Sequence, residues 1–226
     1  MVAVPLNLRT TGRYDEETGR ALFQQLVDRA REMPGVRAAA VANQMPIAGG
    51  HARSTVIPPG REDLAFEAEY IVVGPDYFQT MGIPVQAGRA RETAGPEGGR
   101  VVVGSQVRAD RGGPGAAAGG KELLRGECEP WRVVGVVGNV QMRSLRSRAN
   151  PAVYYPVSQE YSAFVALQLA FEPGAALSQA AIRRMVEEVD PELPVTRVVD
   201  LQQAVAASMG ESRTIGYQVA VFAVLA

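Results

Sequence analysis

Two stretches of the sequence follow the same pattern: LVDRAREMPGVRAAAV at residues 26–41 and IRRMVEEVDPELPVTRVV at residues 182–199. Each begins as an amphipathic helix, passes through a proline-containing turn and continues as an apolar run typical of a strand. Because a further strand-like segment precedes each helix, the chain has a β-α-β unit near either end. Two such units can pair into one four-stranded sheet with both helices on one face, a ferredoxin-like arrangement.

The first unit begins with alternating apolar residues at positions 2–8, which predict a strand. Asp15 is a suitable N-cap for the helix that follows. Pro34 and Gly35 end this helix before a second strand at residues 36–42. The apolar face of the helix is expected to consist of Leu22, Phe23, Leu26, Val27, Ala30 and Met33.

The second unit has the same order of elements. Residues 164–170 predict a strand, Asp190 ends the helix, and residues 195–199 predict the last strand. Asp200 and Gln203 have the spacing of a capping box, which predicts the start of another helix. The helical stripe before Asp190 consists of Leu177, Ile182, Met185, Val186 and Val189.

Residues 49–162 differ from both units, because they are rich in glycine, proline and short strand-like runs. Pro75 and Gly82 delimit a short predicted helix over residues 75–81. This composition predicts a second, mainly β lobe inserted into the first, so the fold class is α+β with two lobes. The strand candidates are residues 66–73, 83–87, 101–103, 131–140 and 152–156.

Composition excludes several classes of function. Of the 226 residues, 46% are hydrophobic and 21% are charged, as in folded soluble domains. The 23 basic and 24 acidic residues give a net charge of -1. A nucleic-acid-binding protein usually has a basic excess, so no nucleic-acid partner is expected. The single cysteine, Cys128, and the single histidine, His51, exclude an intrachain disulfide, a cysteine zinc site and a multi-histidine metal site.

A glycine-rich segment, GAAAGGK at residues 115–121, has the spacing of a phosphate-binding loop. However, Glu122 stands where such a loop has the serine or threonine that binds magnesium, and its charge would repel phosphate. No strand candidate directly precedes the segment, since the nearest one ends near Gly104. We therefore expect a flexible loop that binds no nucleotide or other cofactor.

The sequence offers no pair of side chains suited to catalysis. His51 lies in a glycine-rich loop without an orienting partner. Cys128 lies between two glutamates, which should raise the pKa of its thiol. We therefore predict no enzyme and no catalytic, metal-binding or cofactor-binding residue. Four carboxylates have no spacing that would bring two of them together: Asp76, Glu92, Glu97 and Asp110.

Two groups of side chains resemble binding surfaces. Arg143, Arg146 and Arg148 form a basic loop that suits anionic lipid or an acidic partner, although such loops are more often solvated surface. An aromatic group is more typical of packing on a sheet than of a stacking platform for nucleic acid. It consists of Tyr154, Tyr155, Tyr161 and Phe164.

The two ends of the sequence bear on its location. The N-terminal residues lack the basic segment and long apolar core of a secretory signal. The C-terminal run IGYQVAVFAVLA, residues 215–226, is apolar but shorter than the roughly 17–25 residues that span a bilayer. It is either a packed C-terminal element or the start of a truncated transmembrane helix.

Three segments carry a pattern that extends over much of the chain: VVGPDYFQTMGIPVQAGRA at residues 72–90, VVGVVGNVQMRSLRSRANPAVYYPVSQ at residues 133–159 and VDPELPVTRVVDLQQAVAASMGESR at residues 189–213. Together they resemble the MacB-like periplasmic core domain of FtsX-like ABC-transporter permeases. PGVRAAAVANQMPIAGG at residues 34–50 also fits, so the resemblance covers nearly the whole chain. Residues 104–121 depart from the family pattern, so any contact that this passage makes with a partner in relatives is not carried over to this chain.

This resemblance implies a two-lobed domain outside the cytoplasmic membrane, between the first and second transmembrane helices of a permease. It also implies a permease homodimer, a cytoplasmic ABC ATPase and a periplasmic partner protein, with no ATP site in the domain itself. We therefore expect a non-enzymatic periplasmic domain that relays ATP-driven motion and engages substrate or partner proteins. The alternative is a soluble ligand-binding domain with a cleft between the lobes.

The expected boundaries follow from the two units and the insertion. Residues 1–48 and 163–214 form the membrane-proximal β-α-β lobe, and residues 49–162 form the inserted β-rich lobe. In the permease interpretation, residues 215–226 begin a truncated transmembrane helix. The domain is then tethered to the periplasmic face of the bacterial inner membrane.

Overall fold

The computed structural model describes residues 1–46, 52–58, 63, 65–89, 99–104, 122–125, 129–138, 151–175 and 178–207. Within these ranges the chain has mixed α+β structure, which confirms the predicted class. The elements are β1 (Val2–Asn7), α1 (Glu16–Glu32), β2 (Val36–Ala42), β3 (Arg53–Ile57), β4 (Phe66–Val73), α2 (Tyr77–Met81), β5 (Val85–Gly88), β6 (Gly99–Gly104), β7 (Glu122–Arg125), β8 (Glu129–Val137), β9 (Ala152–Pro156), β10 (Phe164–Phe171), α3 (Gln179–Val189) and β11 (Val199–Asp200). A short 3-10 helix, Leu8–Thr10, follows β1, and residues 201–207 are helical.

Four strands lie side by side in the order β11, β1, β10, β2 and are called here the terminal sheet. All three neighbouring pairs are antiparallel, with Val2 opposite Asp200 on one side and opposite Leu169 on the other. Helices α1 and α3 pack on the same face of this sheet. The core that they form with it includes Val4, Leu6, Phe23, Leu26, Val41, Leu167, Leu169, Ile182, Met185 and Val186.

The start and end of α1 follow from its sequence. The Asp15 carboxylate accepts a hydrogen bond from the backbone N–H of Thr18 (2.9 Å), and the Thr18 hydroxyl accepts one from the N–H of Asp15 (3.0 Å). This is a complete capping box. The helix ends at Glu32, before Pro34, and Gly35 has the positive φ of 82° that turns the chain into β2. The predicted N-cap and turn are confirmed.

The opposite face of the terminal sheet is lined by alanines. These side chains are buried because α2, Met45 and Leu201 pack against them. Short side chains let the covering elements approach the sheet closely without leaving voids. The lining residues are Ala3, Ala40, Ala42 and Ala166.

Six further strands close into a ring, called here the barrel. β4 pairs with β3, β3 with β7, β7 with β8, β8 with β6, β6 with β9, and β9 with β4. The β4–β9 and β6–β8 pairs are parallel and the other four are antiparallel. Closure gives every strand of the ring a neighbour on both edges. The apolar core of the barrel includes Val56, Phe66, Val72, Val103, Trp131, Val133, Val136, Val153 and Tyr155.

The last strand is shorter than predicted, because β11 has two residues instead of the expected residues 195–199. The C=O of Met1 accepts the N–H of Leu201 on the β11 side of β1 (3.1 Å). Backbone groups alternate in direction along a strand, so Pro5 faces the same side as Met1. Pro5 has no N–H to donate, and the ladder between β1 and β11 therefore ends at Ala3.

Helix α2 is also shorter than the predicted residues 75–81. Asp76 precedes it in the left-handed region, with φ 61°, so Pro75 lies in the turn and not in the first helical position. Gly82, with φ 67°, ends the helix as predicted. The strands β3 and β7 were not predicted, because their sequences, RSTVI and ELLR, are short and contain only two apolar residues each.

Candidate functional site

The terminal sheet and the barrel meet where the last residue of β2, Ala42, lies beside the last residue of β4, Val73. This region is called here the junction. One residue pair, Ala42 opposite Val73, joins these two strands in the sheet. At the next position, the N–H of Asn43 donates to the C=O of Val72 (3.0 Å), and the Asn43 side-chain oxygen accepts the N–H of Val72 (2.8 Å). The side chain of Asn43 thus takes the place of a backbone acceptor and extends the junction beyond the strand pair.

Two buried glutamine side chains connect the same region to the middle of the terminal sheet. Gln44 is 3% exposed, and its Nε2 donates to the C=O of Ala52 (3.2 Å) and to the C=O of Tyr70. Gln168 lies in β10 with no exposed surface, and its Nε2 donates to the C=O of Gln44 (3.0 Å). Buried amides in such a network hold their partners in one geometry, because an unmade hydrogen bond there is costly.

Two arginine side chains of helix α1 add contacts near the junction. Arg31 donates to the C=O of Ala39 on β2 (3.1 Å) and forms an ion pair with Asp76 at the start of α2 (3.0 Å). Arg20 donates through Nε to the C=O of Val157, just after β9 (2.9 Å). Helix α1 is therefore connected to the turn after β4, through Asp76, and to the segment after β9, through Val157.

A surface groove of about 750 Å³ lies beside this junction, at the start of α1 and β10. At its edge the Tyr70 hydroxyl donates to Glu160 (2.6 Å), and the Arg20 guanidinium lies over the Tyr161 ring, 5.5 Å from its centre. Aromatic walls with a few polar groups are typical of binding sites. The lining residues include Asn7, Arg9, Tyr14, Asp15, Glu16, Tyr70, Tyr161 and Phe164.

The polar contacts around the groove suit binding and structure more than catalysis. The Ser162 hydroxyl donates to the C=O of Phe164 (2.7 Å) and has no base beside it among the residues described for this groove. Asp15 is engaged in the capping box, and Glu16 pairs with Arg20 (3.1 Å). A nucleophile would need a base within hydrogen-bond reach, and these side chains do not supply that pair.

Tyr14 connects the groove to the loop after α3. Its hydroxyl donates to Asp190 (2.6 Å), which also accepts the N–H of Glu192 (3.0 Å) and lies 3.7 Å from Arg13. Burial alone would raise the pKa of Asp190, but these hydrogen bonds and Arg13 hold that pKa below its usual value. Burial, together with the hydrogen bond to Asp190, raises the pKa of Tyr14 to about 12. The tyrosine therefore stays protonated at neutral pH and the aspartate ionised.

An aromatic cluster fixes α2 on the outside of the barrel. Tyr77 and Phe78 on α2 make an edge-to-face contact at 5.5 Å, and Phe78 makes another with Tyr154 on β9 at 4.9 Å. Burial raises the pKa of Tyr77 and of Tyr154 well above the ordinary value of a tyrosine. The two segments PDYFQTMG and PAVYYP are thereby in direct contact.

Only part of the aromatic group singled out in the sequence is brought together. Tyr154 and Tyr155 belong to different clusters, since the first packs under α2 and the second in the barrel. Tyr161 and Phe164 both line the groove, and Asp76 precedes α2. The candidates that lie outside the described residues are His51, Glu92, Glu97, Asp110, residues 115–121, Cys128, Arg143, Arg146, Arg148 and residues 215–226.

Sequence reasoning missed Gln44, Gln168 and Arg31 as residues of the junction. One signal was available for Gln168, because it interrupts the otherwise apolar strand FVALQLAF. A polar side chain in a strand buried on both faces needs a hydrogen-bond partner. No comparable signal marks Arg31, which lies on the exposed side of α1.

Two further features are absent from the part of the chain that the structure describes. No cluster of three or more histidine, cysteine or carboxylate side chains is placed to hold a metal ion there. No helix in that part is both long and apolar enough to cross a membrane.

Residues 5–189 match the family model of the MacB-like periplasmic core domain. Three solved structures have a similar fold. The periplasmic region of MacB from Actinobacillus actinomycetemcomitans is 14% identical, with a TM-score of 0.54 over 95% of this chain and 92% of that one. A domain assigned to a permease from Porphyromonas gingivalis is 16% identical, with a TM-score of 0.52 over 74% and 69%.

The third is the extracellular domain of the noncanonic ABC-type transporter YknZ from Gram-positive bacteria. It is 13% identical, with a TM-score of 0.50 over 88% of this chain and 100% of that one. No curated protein matches the chain in sequence. At these identities the structural likeness concerns the fold, and the family rests on the match over residues 5–189.

Proposed function

The chain belongs to the family of MacB-like periplasmic core domains of FtsX-like ABC-transporter permeases, and we propose that it is the non-enzymatic, motion-relaying part of such a permease. In this proposal the domain is tethered to the periplasmic face of the inner membrane. It moves when a cytoplasmic ATPase closes, and it engages substrate or partner proteins. The permease acts as a homodimer with that ATPase, and a periplasmic protein is its outer partner.

The observation that carries the proposal is the pairing of the first strand with the last. Val2 lies opposite Asp200, so β1 begins and β11 ends at the same end of the terminal sheet, called here the Val2 end. The other end, where β1 finishes at Asn7, is called the Asn7 end. A domain held by two membrane helices needs both connections on one side, and this pairing supplies that arrangement.

We also propose the division of the chain into two lobes and a membrane segment. Residues 1–48 and 163–214 form a ferredoxin-like lobe, which the strand order β11-β1-β10-β2 and the two helices on one face support. Residues 49–162 form the inserted lobe, which contains the barrel. Residues 215–226 begin a transmembrane helix.

The junction supports a rigid relay. Hydrogen bonds from Asn43, Gln44 and Gln168 connect the barrel to the terminal sheet, and Arg31 connects α1 to β2 and to the turn that follows β4. A displacement imposed at the Val2 end therefore reaches the barrel without first deforming a flexible linker. The chain contributes stiffness and geometry, and the ATPase contributes the energy.

The relay is tested by spin-label distances in the full-length permease with its ATPase, in lipid nanodiscs. The label is placed in both copies at the exposed Val85 of β5, which pairs with the barrel strand β8, in a Cys128→Ser background. Trapping the ATPase with ATP and vanadate is expected to change the distance between the two labels. A catalytically inactive ATPase is the control. An unchanged distance with an active, vanadate-inhibited ATPase would contradict the relay.

A ligand-binding domain is the second candidate, and the groove of about 750 Å³ is the observation that favours it. The volume lies in the range of small-molecule sites, which is about 300–1,000 Å³. This candidate requires saturable binding of a small ligand by the domain alone. It also requires that binding be lost when the groove residue Tyr161 is replaced by Ala, while nucleotide trapping leaves the label distance unchanged.

A further inference from the structure

An exposed aromatic side chain lies between two cavities at the Asn7 end of the terminal sheet. Phe164 is 45% exposed, and within the described ranges Val85, at 49%, is the one other exposed large apolar side chain. Phe164 forms part of the wall of the groove and also of a second cavity of about 300 Å³. The second cavity is otherwise bounded mainly by Pro5, Leu6, Thr10, Pro194 and Arg197.

The second cavity arises from the shortened pairing between β1 and β11. Pro5 stops the ladder at Ala3, so the segment that carries Pro194 and Arg197 runs beside β1 without forming a strand. The space between them is lined by two proline rings and by the Phe164 ring. Such a space suits the insertion of one apolar side chain from another molecule.

The acidic and the basic side chains around Phe164 differ in whether they have a close partner of opposite charge or a hydrogen bond. Glu16 forms an ion pair with Arg20, and Asp15 is held by its capping hydrogen bonds. Arg9 on the groove and Arg197 on the second cavity are both exposed, and among the described residues neither has a carboxylate within 4 Å. The surface thus offers an arginine on each side of an exposed phenylalanine, with the nearby acidic side chains already engaged.

We propose that this surface, called the Phe164 surface, binds an extended acidic segment of a partner protein. An apolar side chain of the segment enters the cavity beside Pro5 and Pro194, and flanking carboxylates pair with Arg9 and Arg197. The inference rests on the proposed function, in which the Asn7 end points away from the membrane and is open to a periplasmic partner. Aromatic and arginine side chains are enriched at protein interfaces relative to the rest of the surface.

The probes are three fluorescent pentapeptides, and binding to the purified chain is followed by fluorescence polarisation. The first, Glu-Asp-Leu-Phe-Glu, carries acidic and apolar side chains. The second, Lys-Lys-Leu-Phe-Lys, reverses the charge, and the third, Glu-Asp-Ser-Gly-Glu, lacks the apolar anchor. Only the first is expected to bind saturably. Equal binding of the second or the third, or no binding of the first, would overturn the proposal.

Single substitutions test whether the first peptide binds at the Phe164 surface. Phe164→Ala and Arg197→Glu are each expected to weaken binding of the first peptide about tenfold or more, and Arg197→Lys much less. Val85→Ala removes the other exposed apolar side chain and serves as the matched control, with unchanged affinity. Thermal melting of each variant shows whether it folds. A folded Phe164→Ala protein with unchanged affinity would overturn the proposal.

Vesicles of phosphatidylglycerol distinguish a protein segment from an anionic lipid. Binding of these vesicles that competes with the first peptide and is lost in Arg197→Glu would assign the surface to lipid and overturn the proposal. The peptide measurements need neither the ATPase nor the membrane. They therefore fail or succeed independently of the label distances that test the relay.

Discussion

Val2 and Asp200 lie opposite each other on adjacent antiparallel strands, β1 and β11. Neighbouring strands are about 4.8 Å apart, so the first and last strands leave the sheet side by side. The N–H of Leu201 donates to the C=O of Met1 (3.1 Å), and the helical residues 201–207 therefore start beside the first residue of the chain. A force applied to the start of β1 or to the end of β11 therefore acts on the Val2 end of the terminal sheet.

Replacement of Gln168 by Leu is expected to weaken the junction. It removes the hydrogen bond to the C=O of Gln44, and a buried acceptor left without a donor costs about 1–3 kcal/mol. The Gln168 side-chain oxygen has no hydrogen-bond partner in the described structure, so its removal offsets part of that cost. We expect the free energy of unfolding to fall by about 1 kcal/mol.

Hydrogen exchange separates this effect from general destabilisation. Amide protons at residues 43–45 are expected to exchange faster in the Gln168→Leu protein, while those in the middle of α1 change little. Gln24→Leu, at an exposed position of α1, is the matched control and should leave the junction unchanged. Exchange at residues 43–45 that matches the wild type would show that Gln168 does not hold this segment.

Gly135 is expected to tolerate no side chain. A Cβ there would lie 2.1 Å from the backbone oxygen of Arg89, because the chain just after β5, which pairs with β8, lies close against Gly135. Backbone on both sides cannot move aside as a flexible side chain can, so Gly135→Ala should cost more than the about 1–3 kcal/mol of ordinary overpacking. Urea denaturation measures the loss.

Gly12→Ala is the control for the Gly135 experiment. Gly12 has a positive φ of 65°, and a Cβ added there would meet no neighbouring atom within 4 Å. It therefore carries only the left-handed backbone penalty of about 1–2 kcal/mol. Gly135→Ala should be clearly less stable than Gly12→Ala. The reverse order would mean that β5 does not lie against Gly135.

Tyr14→Phe is expected to destabilise the chain in a pH-dependent way. It removes the hydrogen bond to the ionised Asp190, which is worth about 1.5–3 kcal/mol when one partner is charged. The pKa of Asp190 is lower in the folded chain than its unfolded value of about 3.9. The ionised carboxylate therefore stabilises the fold above about pH 4, and this contribution is lost as the pH falls through the folded pKa.

The free energy of unfolding, measured from pH 7 down to pH 3, tests the direction of this pH dependence. The difference in stability between wild type and Tyr14→Phe should be largest near neutral pH and should narrow below about pH 4. Tyr161→Phe is a comparison variant, since its hydroxyl has no hydrogen-bond partner in the described structure. A difference that grows on acidification would contradict the assigned interaction of Asp190.

The local features of the fold could be predicted, because nearby residues determine them. The N-cap at Asp15 and the turn at Pro34 and Gly35 were both predicted from the sequence. The late start of β11, at Val199, was not, because it depends on Pro5, which lies far earlier in the chain on the neighbouring strand. A sequence pattern indicates that a segment can form a strand, but the neighbouring strand determines how many of its residues pair.

The barrel and the junction were beyond prediction from one sequence for a related reason. Barrel closure depends on the parallel pairing of β4 with β9, whose residues, such as Ile71 and Tyr154, are far apart in the chain. Gln168 is a single polar residue in an apolar strand, and its partner, the C=O of Gln44, belongs to a loop. Neither contact leaves a periodic signal in the sequence.

The most direct test of the membrane tether measures how far each end of the terminal sheet lies from the bilayer. Spin labels are placed at the exposed residues Glu172, near the Val2 end, and Thr10, near the Asn7 end, in the full-length permease. β1 separates these ends by about 20 Å along the sheet. Nickel-chelating lipids in the nanodisc should strongly relax the label at Glu172 and leave the label at Thr10 nearly unaffected. Stronger relaxation at Thr10 than at Glu172 would contradict the claim that the chain is tethered to the membrane through its Val2 end.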